Sequence, residues 1–288
     1  MTTKQLQSLE DHDDHGGLHR DIPALVGRRD MLRMMGGFSL AGLLVACGLG
    51  GNGEPTTMGG VTSTTMRTTT TSVGAGTTGS DASAGTEIPD ETAGPFPADG
   101  SNGPNVLDCN GIVRADITSS FGGSAGTADG IPMTFNLSLV DAGTGSAIPG
   151  AVAYLWHCTA GGQYSIYEVE DENFLRGVQV ADDAGRIRFI SVFPGCYAGR
   201  WPHAHFEVYG SLEDATAGSG EIKTSQLALP RAECEEVYAD DRYGNSAENL
   251  SRLSLESDGV FADGWSDQLA TMSGSPSDGY TASLLVRV

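Results

Sequence analysis

Short runs that alternate apolar and polar side chains with the two-residue period of a β-strand recur through the C-terminal two thirds of the chain. The clearest, residues 131–140, places Met133, Phe135, Leu137 and Leu139 on one face. Other alternating or β-rich runs cover residues 151–157, 186–193, 203–209 and 280–288. This pattern favours strands over helices as the main building element.

Helical signals are weak. No stretch shows helical periodicity over three turns, and only residues 231–238 and 246–253 are compatible with short helices. Turn residues separate the strands, in a chain with 41 glycines and 12 prolines. We therefore predict an all-β fold, an antiparallel β-sandwich with short helices and long loops.

The N-terminal segment has the features of an export signal. Residues 27–33 read GRRDMLR, and the apolar run from Met34 to Ala46 follows directly. This run is shorter than the roughly 20 residues that a membrane-spanning helix needs, which is typical of a signal-peptide core. The segment resembles a twin-arginine signal. Residues 44–47, LVAC, resemble a bacterial lipobox, so we predict a signal over residues 1–47 and a protein lipid-anchored through Cys47 at the extracellular face.

Residues 48–88 are mostly Gly, Thr and Ser, with few large apolar side chains. Such a segment buries too little surface to offset its ordering entropy, which predicts a disordered tether. The folded domain is then predicted to span residues 89–288.

The formal net charge is −21. An acidic surface repels nucleic acid and anionic lipid headgroups, which argues against nucleic-acid binding and against membrane contact other than through the lipid anchor. Beyond Cys47, the cysteines are Cys109, Cys158, Cys196 and Cys234. In an exported protein an even number predicts two disulfides, and the sequence leaves three pairings open.

Histidines are few and two of them lie close together. Of six in the chain, three precede residue 20, and His157, His203 and His205 are the others. On a strand, residues i and i+2 project from the same face about 6.6 Å apart, so His203 and His205 can converge on one metal ion. Tyr197, after the turn at residues 194–195, and Tyr164, after Gly161-Gly162, are the best candidates for the remaining ligands. Two phenolates with two imidazoles suit ferric iron, because a highly charged ion is needed to lower a phenol pKa of about 10.

Three segments carry a family resemblance: PGAVAYLWHCTAGGQYSIY, FLRGVQVADDAGRIRFISVFPGCYAGRWPHAHFEV and TSQLALP. Together with ETAGPFP at residues 91–97, they resemble the intradiol ring-cleavage dioxygenases of the protocatechuate and catechol types. The resemblance covers roughly residues 87–288, and the combination of G-x-Y, P-G-x-Y-x-G-R and H-x-H is specific. The export signal suggests a lipoprotein branch of that family.

The resemblance implies one mononuclear non-haem Fe(III) ion bound by Tyr164, Tyr197, His203 and His205. It implies that a small aromatic diol displaces Tyr197, which accepts a proton, and that dioxygen then opens the ring between the two hydroxyl-bearing carbons. The product would be a cis,cis-muconate-type diacid. Arg200 matches an arginine that stabilises charge on the ring, and Gln226 matches a glutamine that lines the pocket.

Several alternatives stay open. Tyr167, also within QYSIY, is a second candidate for the phenolate ligand, and Arg200 is compatible with a surface ion pair. Arg200 or Arg176 could attract an anionic substrate despite the acidic surface. We expect Trp156 to be a core residue and His157 a structural hydrogen-bonding residue. The competing function is a non-catalytic surface module that binds polysaccharide or an aromatic polymer, because sandwich folds also serve that role.

Overall fold

The computed structural model describes residues 82–288, which form two four-stranded sheets with short helices and long connections. In one sheet the strand order is β4-β1-β8-β7, and in the other it is β3-β2-β5-β6. The strands are β1 (Pro132–Val140), β2 (Val152–Trp156), β3 (Arg176–Val180), β4 (Arg186–Val192), β5 (His203–Tyr209), β6 (Glu221–Ala228), β7 (Thr271–Ser275) and β8 (Gly279–Arg287).

Apolar side chains from both sheets form one hydrophobic core. Phe135 of β1 and Phe189 of β4 pack in the same cluster as Leu155 of β2 and Phe206 of β5, and all four are fully buried. The alternation in β1 and β4 explains this arrangement, since every second side chain is directed to the core. The prediction of an all-β fold is therefore confirmed in its coarser part, since the domain is mostly β, with two sheets and few short helices.

The two central strands of the second sheet, β2 and β5, are buried on both faces. Tyr154 and Trp156 belong to a second cluster, together with residues of the long loops that cover this sheet. Trp156 is a core residue, as expected from the sequence. The covered outer face of this sheet is where the candidate site lies.

The prediction of a purely antiparallel fold is wrong in one sheet. Strands β1 and β8 pair in parallel, with Met133 opposite Tyr280 and Leu139 opposite Val286. The other strand pairs are antiparallel. Alternation identifies a strand and its buried face but carries no information on which strand it will pair with, or in which direction.

The five predicted strands are present, and three further strands were not predicted. Strand β3 is short, and β7 is largely exposed and polar. Strand β6 includes Lys223, Ser225 and Gln226, which are buried although they are polar. None of these three strands shows the apolar alternation on which the prediction relied.

Helices are short and lie outside the sheets. The two expected segments form α2 (Arg231–Val237) and α3 (Ser246–Ser251), and a helix that was not predicted, α1, covers Leu212–Thr216. Single turns of 3-10 helix cover Asp241–Tyr243, Leu255–Ser257 and Phe261–Asp263. No helix within residues 82–288 combines the length and apolarity needed to cross a membrane.

The chain is bonded to the sheets before residue 89. The amide of Gly85 donates to the Ala142 carbonyl and that of Ile88 to the Arg287 carbonyl, each at 2.9 Å. Ile88 is 2% exposed and packs in the core, so the last residues of the predicted tether are held by the domain. The predicted signal, the lipobox at Cys47 and residues 48–81 of the tether lie outside the described residues.

The prediction of two disulfides among the four domain cysteines is wrong. Cys196 and Cys234 are buried thiols that form no disulfide, and the Cys158 thiol donates to the Gly195 carbonyl at 3.5 Å. Burial raises the pKa of the Cys196 thiol and of the Cys234 thiol well above the ordinary value. Cys109 is disulfide-bonded, but the even cysteine count gave the wrong chemistry for Cys196 and Cys234, because small thiols also pack well as core residues.

Buried thiols of raised pKa should resist alkylation in the folded protein, because only the thiolate is nucleophilic. We predict that iodoacetamide at neutral pH leaves Cys196 and Cys234 unmodified in the native protein and modifies both after denaturation without reductant. Peptide mass spectrometry of the two samples measures this. Recovery of either cysteine in a disulfide-linked peptide would contradict the assignment.

Candidate metal centre

Two histidines of β5 begin the site. His203 and His205 are each 2% exposed and project to the outer face of their sheet. Ala204 and Phe206, which alternate with them, are fully buried in the core between the sheets. The two-residue period of the strand therefore brings two imidazoles to one side, as the sequence predicts.

Two tyrosines reach the same place from loops. Tyr164 lies in the connection between β2 and β3, and Tyr197 in the connection between β4 and β5. The two loops touch where the Gly195 amide donates to the Thr159 carbonyl at 3.0 Å. A Cβ at residue 195 would lie 2.3 Å from the Ala160 carbonyl oxygen, so a glycine is needed for this close approach.

The four rings converge on a small volume. The Tyr197 hydroxyl lies 3.3 Å from Nε2 of His203, and the Tyr164 hydroxyl lies 3.5 Å from both of these atoms. The Nε2 atoms of His203 and His205 are 3.1 Å apart. Tyr164 and Tyr197 are 2% and 8% exposed, so the cluster is almost closed to solvent.

The protonation of His203 leaves a lone pair facing this cluster. Its Nδ1 donates to the Trp201 carbonyl at 2.5 Å, so Nε2 carries the lone pair in the neutral ring. Burial, followed by the nearby charge of Arg200, holds the pKa of His203 well below its usual value. Burial and the neighbouring His203 do the same for the pKa of His205. Both imidazoles are therefore neutral and able to ligate a cation.

The same burial shifts the pKa of Tyr164 in the opposite direction. Burial, then the nearby Tyr197, raises the pKa of Tyr164 well above 10. A phenolate at this position thus needs a strongly positive group beside it, and a bound metal ion is the usual means of reversing such a shift.

The donor spacing matches a single metal ion. An ion with bonds of about 2.0 to 2.2 Å to nitrogen and oxygen places neighbouring donors roughly 3 to 3.5 Å apart, which is the range of the contacts given above. Within residues 82–288, no group of three or more His, Cys, Asp or Glu side chains could hold a metal. The tyrosines are therefore needed to complete this site.

Arg200 and Gln226 lie beside the cluster and are bonded to each other. The Arg200 guanidinium, 2% exposed, donates to Oε1 of Gln226 at 2.6 Å and to Oδ2 of Asp258 at 3.0 Å. Gln226 pairs with His205 across β5 and β6, and its amide nitrogen donates to the Thr92 carbonyl at 2.8 Å. Arg200 is thus a buried residue rather than a partner in a surface ion pair.

The other candidate residues lie apart from the four donors. The Tyr167 hydroxyl accepts from the Ala98 amide and donates to Asn102, each at 2.9 Å. His157 hydrogen bonds to Ser191 and to the Cys158 carbonyl, both at 2.7 Å, and burial lowers its pKa to about 4. These contacts give His157 the structural role expected for it.

Two residues that support the site were not predicted. Asp258 is fully buried, and its Oδ2 accepts from both Arg200 and the Trp201 amide. Its Oδ1 accepts from the amides of Val260 and Phe261. The Trp201 carbonyl orients His203 through a backbone atom. The sequence indicates neither contact. Asp258 is 58 residues from Arg200 in the chain, and any residue could supply the carbonyl that orients His203.

Comparison with known proteins identifies the family that these features resemble. Residues 108–213 match the family model Dioxygenase_C, described as dioxygenase. No curated protein matches the chain. The predicted resemblance to the intradiol ring-cleavage dioxygenases is confirmed. These matches support an oxidoreductase enzyme, and they give no support to the polymer-binding alternative.

Two solved dioxygenase structures agree with this chain in fold. An intradiol ring-cleavage dioxygenase from Tetranychus urticae is 25% identical, with a TM-score of 0.51 over 62% of this chain and 87% of that chain. A second dioxygenase structure is 23% identical, with a TM-score of 0.51 over 62% and 86%. A hydroxyquinol 1,2-dioxygenase from Pseudomonas putida DLL-E4 is 16% identical, with a TM-score of 0.45 over 71% and 67%.

The buried Arg200–Asp258 pair generates a stability prediction. Asp258→Asn leaves the Arg200 charge buried without its anion, which typically costs about 3 to 5 kcal/mol. We expect a loss of that size in the free energy of unfolding, measured by urea denaturation. Glu248→Gln, which removes the exposed Glu248–Arg252 pair, is the control and should have little effect. Equal losses of unfolding free energy in the two variants would show that the buried pair contributes no more to stability than an exposed pair.

Proposed function

We propose that Tyr164, Tyr197, His203 and His205 bind one mononuclear non-haem ferric ion, and that the domain uses it to cleave a catechol-type ring. The observation that carries this proposal is the convergence of two phenol oxygens and two imidazole nitrogens, with contacts of 3.1 to 3.5 Å. Neutral imidazoles and hard phenolate oxygens are donors that a trivalent iron accepts. The resemblance to intradiol dioxygenases supports the same ion.

The proposed reaction consumes a small aromatic diol and dioxygen. The bond between the two hydroxyl-bearing carbons breaks, both oxygen atoms are incorporated, and the product is a cis,cis-muconate-type diacid. Bound ferric iron would hold the two catechol oxygens and activate the ring toward dioxygen. No other oxidant or reductant is needed to balance the reaction.

Three side chains have further proposed roles. The Tyr197 oxygen accepts the proton of a catechol hydroxyl as the diol binds. The Arg200 guanidinium, fixed by Asp258 and Gln226, stabilises negative charge that develops on the ring, and fixed charges of this kind are effective because they need no reorganisation. Gln226 acts by aligning Arg200, and it links that guanidinium to the loop of residues 91–97 through the Thr92 carbonyl.

The cellular location is a separate proposal that rests on the sequence alone. The arginine pair within GRRDMLR and the LVAC segment support export by a twin-arginine route and lipid anchoring at Cys47. Such a location would expose the enzyme to extracellular aromatic diols. Labelling of the intact protein with a radioactive fatty acid, compared with Cys47→Ser, tests the anchor.

The reaction is tested by oxygen uptake. The purified, ferric-loaded protein should consume dioxygen with at least one of catechol, protocatechuate and hydroxyquinol. With isotopically labelled dioxygen, mass spectrometry should find both labelled atoms in a ring-opened diacid. Labelled product with one atom, or none, would exclude intradiol cleavage.

The ligands are tested by paired substitutions within the same segments. His205→Ala should weaken ferric-ion binding by more than the roughly 10- to 100-fold typical of outer-shell residues, whereas His157→Ala should keep the ion. Tyr164→Phe should shift the visible phenolate-to-iron absorption band, whereas Tyr167→Phe should leave it unchanged. Iron affinity by chelator competition and the visible spectrum measure these effects. A His205→Ala variant with full affinity would remove His205 from the site.

A further inference from the structure

Arg176 is a buried cation held by neutral acceptors. At the start of β3 it is 1% exposed, and its Nη1 donates to the carbonyls of Phe96 and Pro97 and to the Tyr154 hydroxyl, at 2.9 to 3.1 Å. Its Nε and Nη2 donate to Oγ and to the carbonyl oxygen of Ser165, both at 3.0 Å. Within the described part of the chain, no carboxylate forms a salt bridge with it. Because burying a charge is costly unless its hydrogen bonds are made, this geometry has to be closely specified.

The contacts of Arg176 join three segments around the candidate metal centre. Phe96 and Pro97 belong to the loop of residues 91–97, Tyr154 belongs to β2, and Ser165 directly follows the proposed ligand Tyr164. Only a guanidinium presents donors in a planar fork that reaches acceptors on several sides at once. Since all these donors are used within the protein, Arg176 is also not placed to attract an anionic substrate, in contrast to the possibility raised from the sequence.

Backbone strain is concentrated at the same residues. Within residues 82–288 the non-glycine residues with positive φ are Ala98 (55°), Ile166 (74°) and Leu175 (58°). Each of them is next in sequence to Arg176 or to a residue that accepts its hydrogen bonds. L residues adopt this conformation only where surrounding contacts enforce it, and such strain is typical of functional sites.

A second connection runs from Arg176 to the imidazole side of the site. The Tyr154 hydroxyl accepts from Arg176 and donates to the Pro97 carbonyl at 2.7 Å. The Tyr154 ring stacks on Trp156, with centroids 4.8 Å apart. Trp156 in turn stacks on the proposed ligand His205, with centroids 4.9 Å apart and planes within 5°. The orientation of the His205 ring is therefore coupled through two aromatic rings to the same guanidinium.

We propose that Arg176 is the positioning residue of the metal centre, which sets Tyr164 through Ser165 and sets His205 through the Tyr154–Trp156 stack. It contacts neither the substrate nor the reacting atoms. The identity of the ion in this role rests on the proposed function. Arg176 would keep the Tyr164 phenol and the His205 imidazole at bonding distance from the same ion.

The test replaces the planar guanidinium of Arg176 and keeps its positive charge. Arg176→Lys retains a cation but offers a single nitrogen in place of the planar guanidinium. We expect the ferric-ion affinity, measured by competition with nitrilotriacetate, to fall about 10- to 100-fold, as for other outer-shell substitutions. The visible absorption band should shift in the fraction that still binds iron. Circular dichroism and thermal unfolding of the iron-free protein report separately on folding.

Arg242→Lys is the matched control. Arg242 also donates to a backbone carbonyl, that of Gly130, and to the carboxylates of Asp129 and Asp240, but it contacts neither Arg176 nor a residue that adjoins a proposed ligand. Its iron affinity and spectrum should equal those of the wild type. A comparable loss in both variants would mean that Arg176 acts only through general stability, and would overturn the proposal.

Smaller changes decide the matter if Arg176→Lys does not fold. Ser165→Ala and Tyr154→Phe each remove a side-chain acceptor of Arg176, and Tyr154→Phe keeps the stacked ring. Each should lower iron affinity a few-fold, and unchanged affinity in both would overturn the proposal. A wild-type protein that binds no ferric ion would instead refute the proposed function. A wild-type protein that binds it as tightly as folded Arg176→Lys would refute only the role of Arg176.

Discussion

The structure depends on holding four ring donors together in a buried volume. The phenol oxygens lie 3.3 to 3.5 Å from each other and from Nε2 of His203, which is longer than an ordinary O–H hydrogen bond, so these groups form few good hydrogen bonds among themselves. Burial lowers the imidazole pKa values and raises that of Tyr164, so these three side chains carry no charge of their own. A bound cation would give the lone pairs of these donors a common partner. The arrangement is therefore better explained as a metal-binding site than as packing of the protein interior.

The scaffold distributes the work of positioning among different elements. Strand β5 supplies both histidines and fixes their spacing, whereas the tyrosines come from two loops that meet at Gly195. Two buried arginines lie near the four donors. Arg200 is paired with Asp258, while Arg176 is bonded to carbonyls and hydroxyls only. The Asp258 carboxylate balances the charge of Arg200 beside the site. Arg176 has no carboxylate partner in the described part of the chain, and its hydrogen bonds instead reach several chain segments.

Part of this structure follows from the sequence. The His203-x-His205 spacing on a strand with apolar Ala204 and Phe206 between them predicts both the shared face and the core contact, and the structure shows both. The strands with apolar alternation were found for the same reason. The parallel pairing of β1 with β8 joins residues far apart in the chain, and no local pattern encodes it. Strands β3, β6 and β7 lack the alternation of apolar and polar residues, so the local sequence pattern did not predict them.

The supporting residues were beyond the reach of sequence reasoning for a different reason. Asp258 acts on Arg200 from an irregular segment, and Arg176 acts on Tyr164 through a neighbour's backbone. Their residue types are common on surfaces, and only tertiary contacts show that they are buried. The cysteines illustrate the reverse error, because Cys196 and Cys234, which the count assigned to disulfides, are thiols packed in the core.

The position of the bound ion can be measured directly and shows whether these four side chains are its ligands. Crystals of the ferric-loaded protein, measured on both sides of the iron absorption edge, give an anomalous difference map that locates iron without assumptions about ligands. We predict one peak per chain, about 2.0 to 2.2 Å from the donor atoms of Tyr164, Tyr197, His203 and His205. A peak elsewhere in the domain, or iron-loaded crystals with no peak among these four side chains, would contradict this prediction.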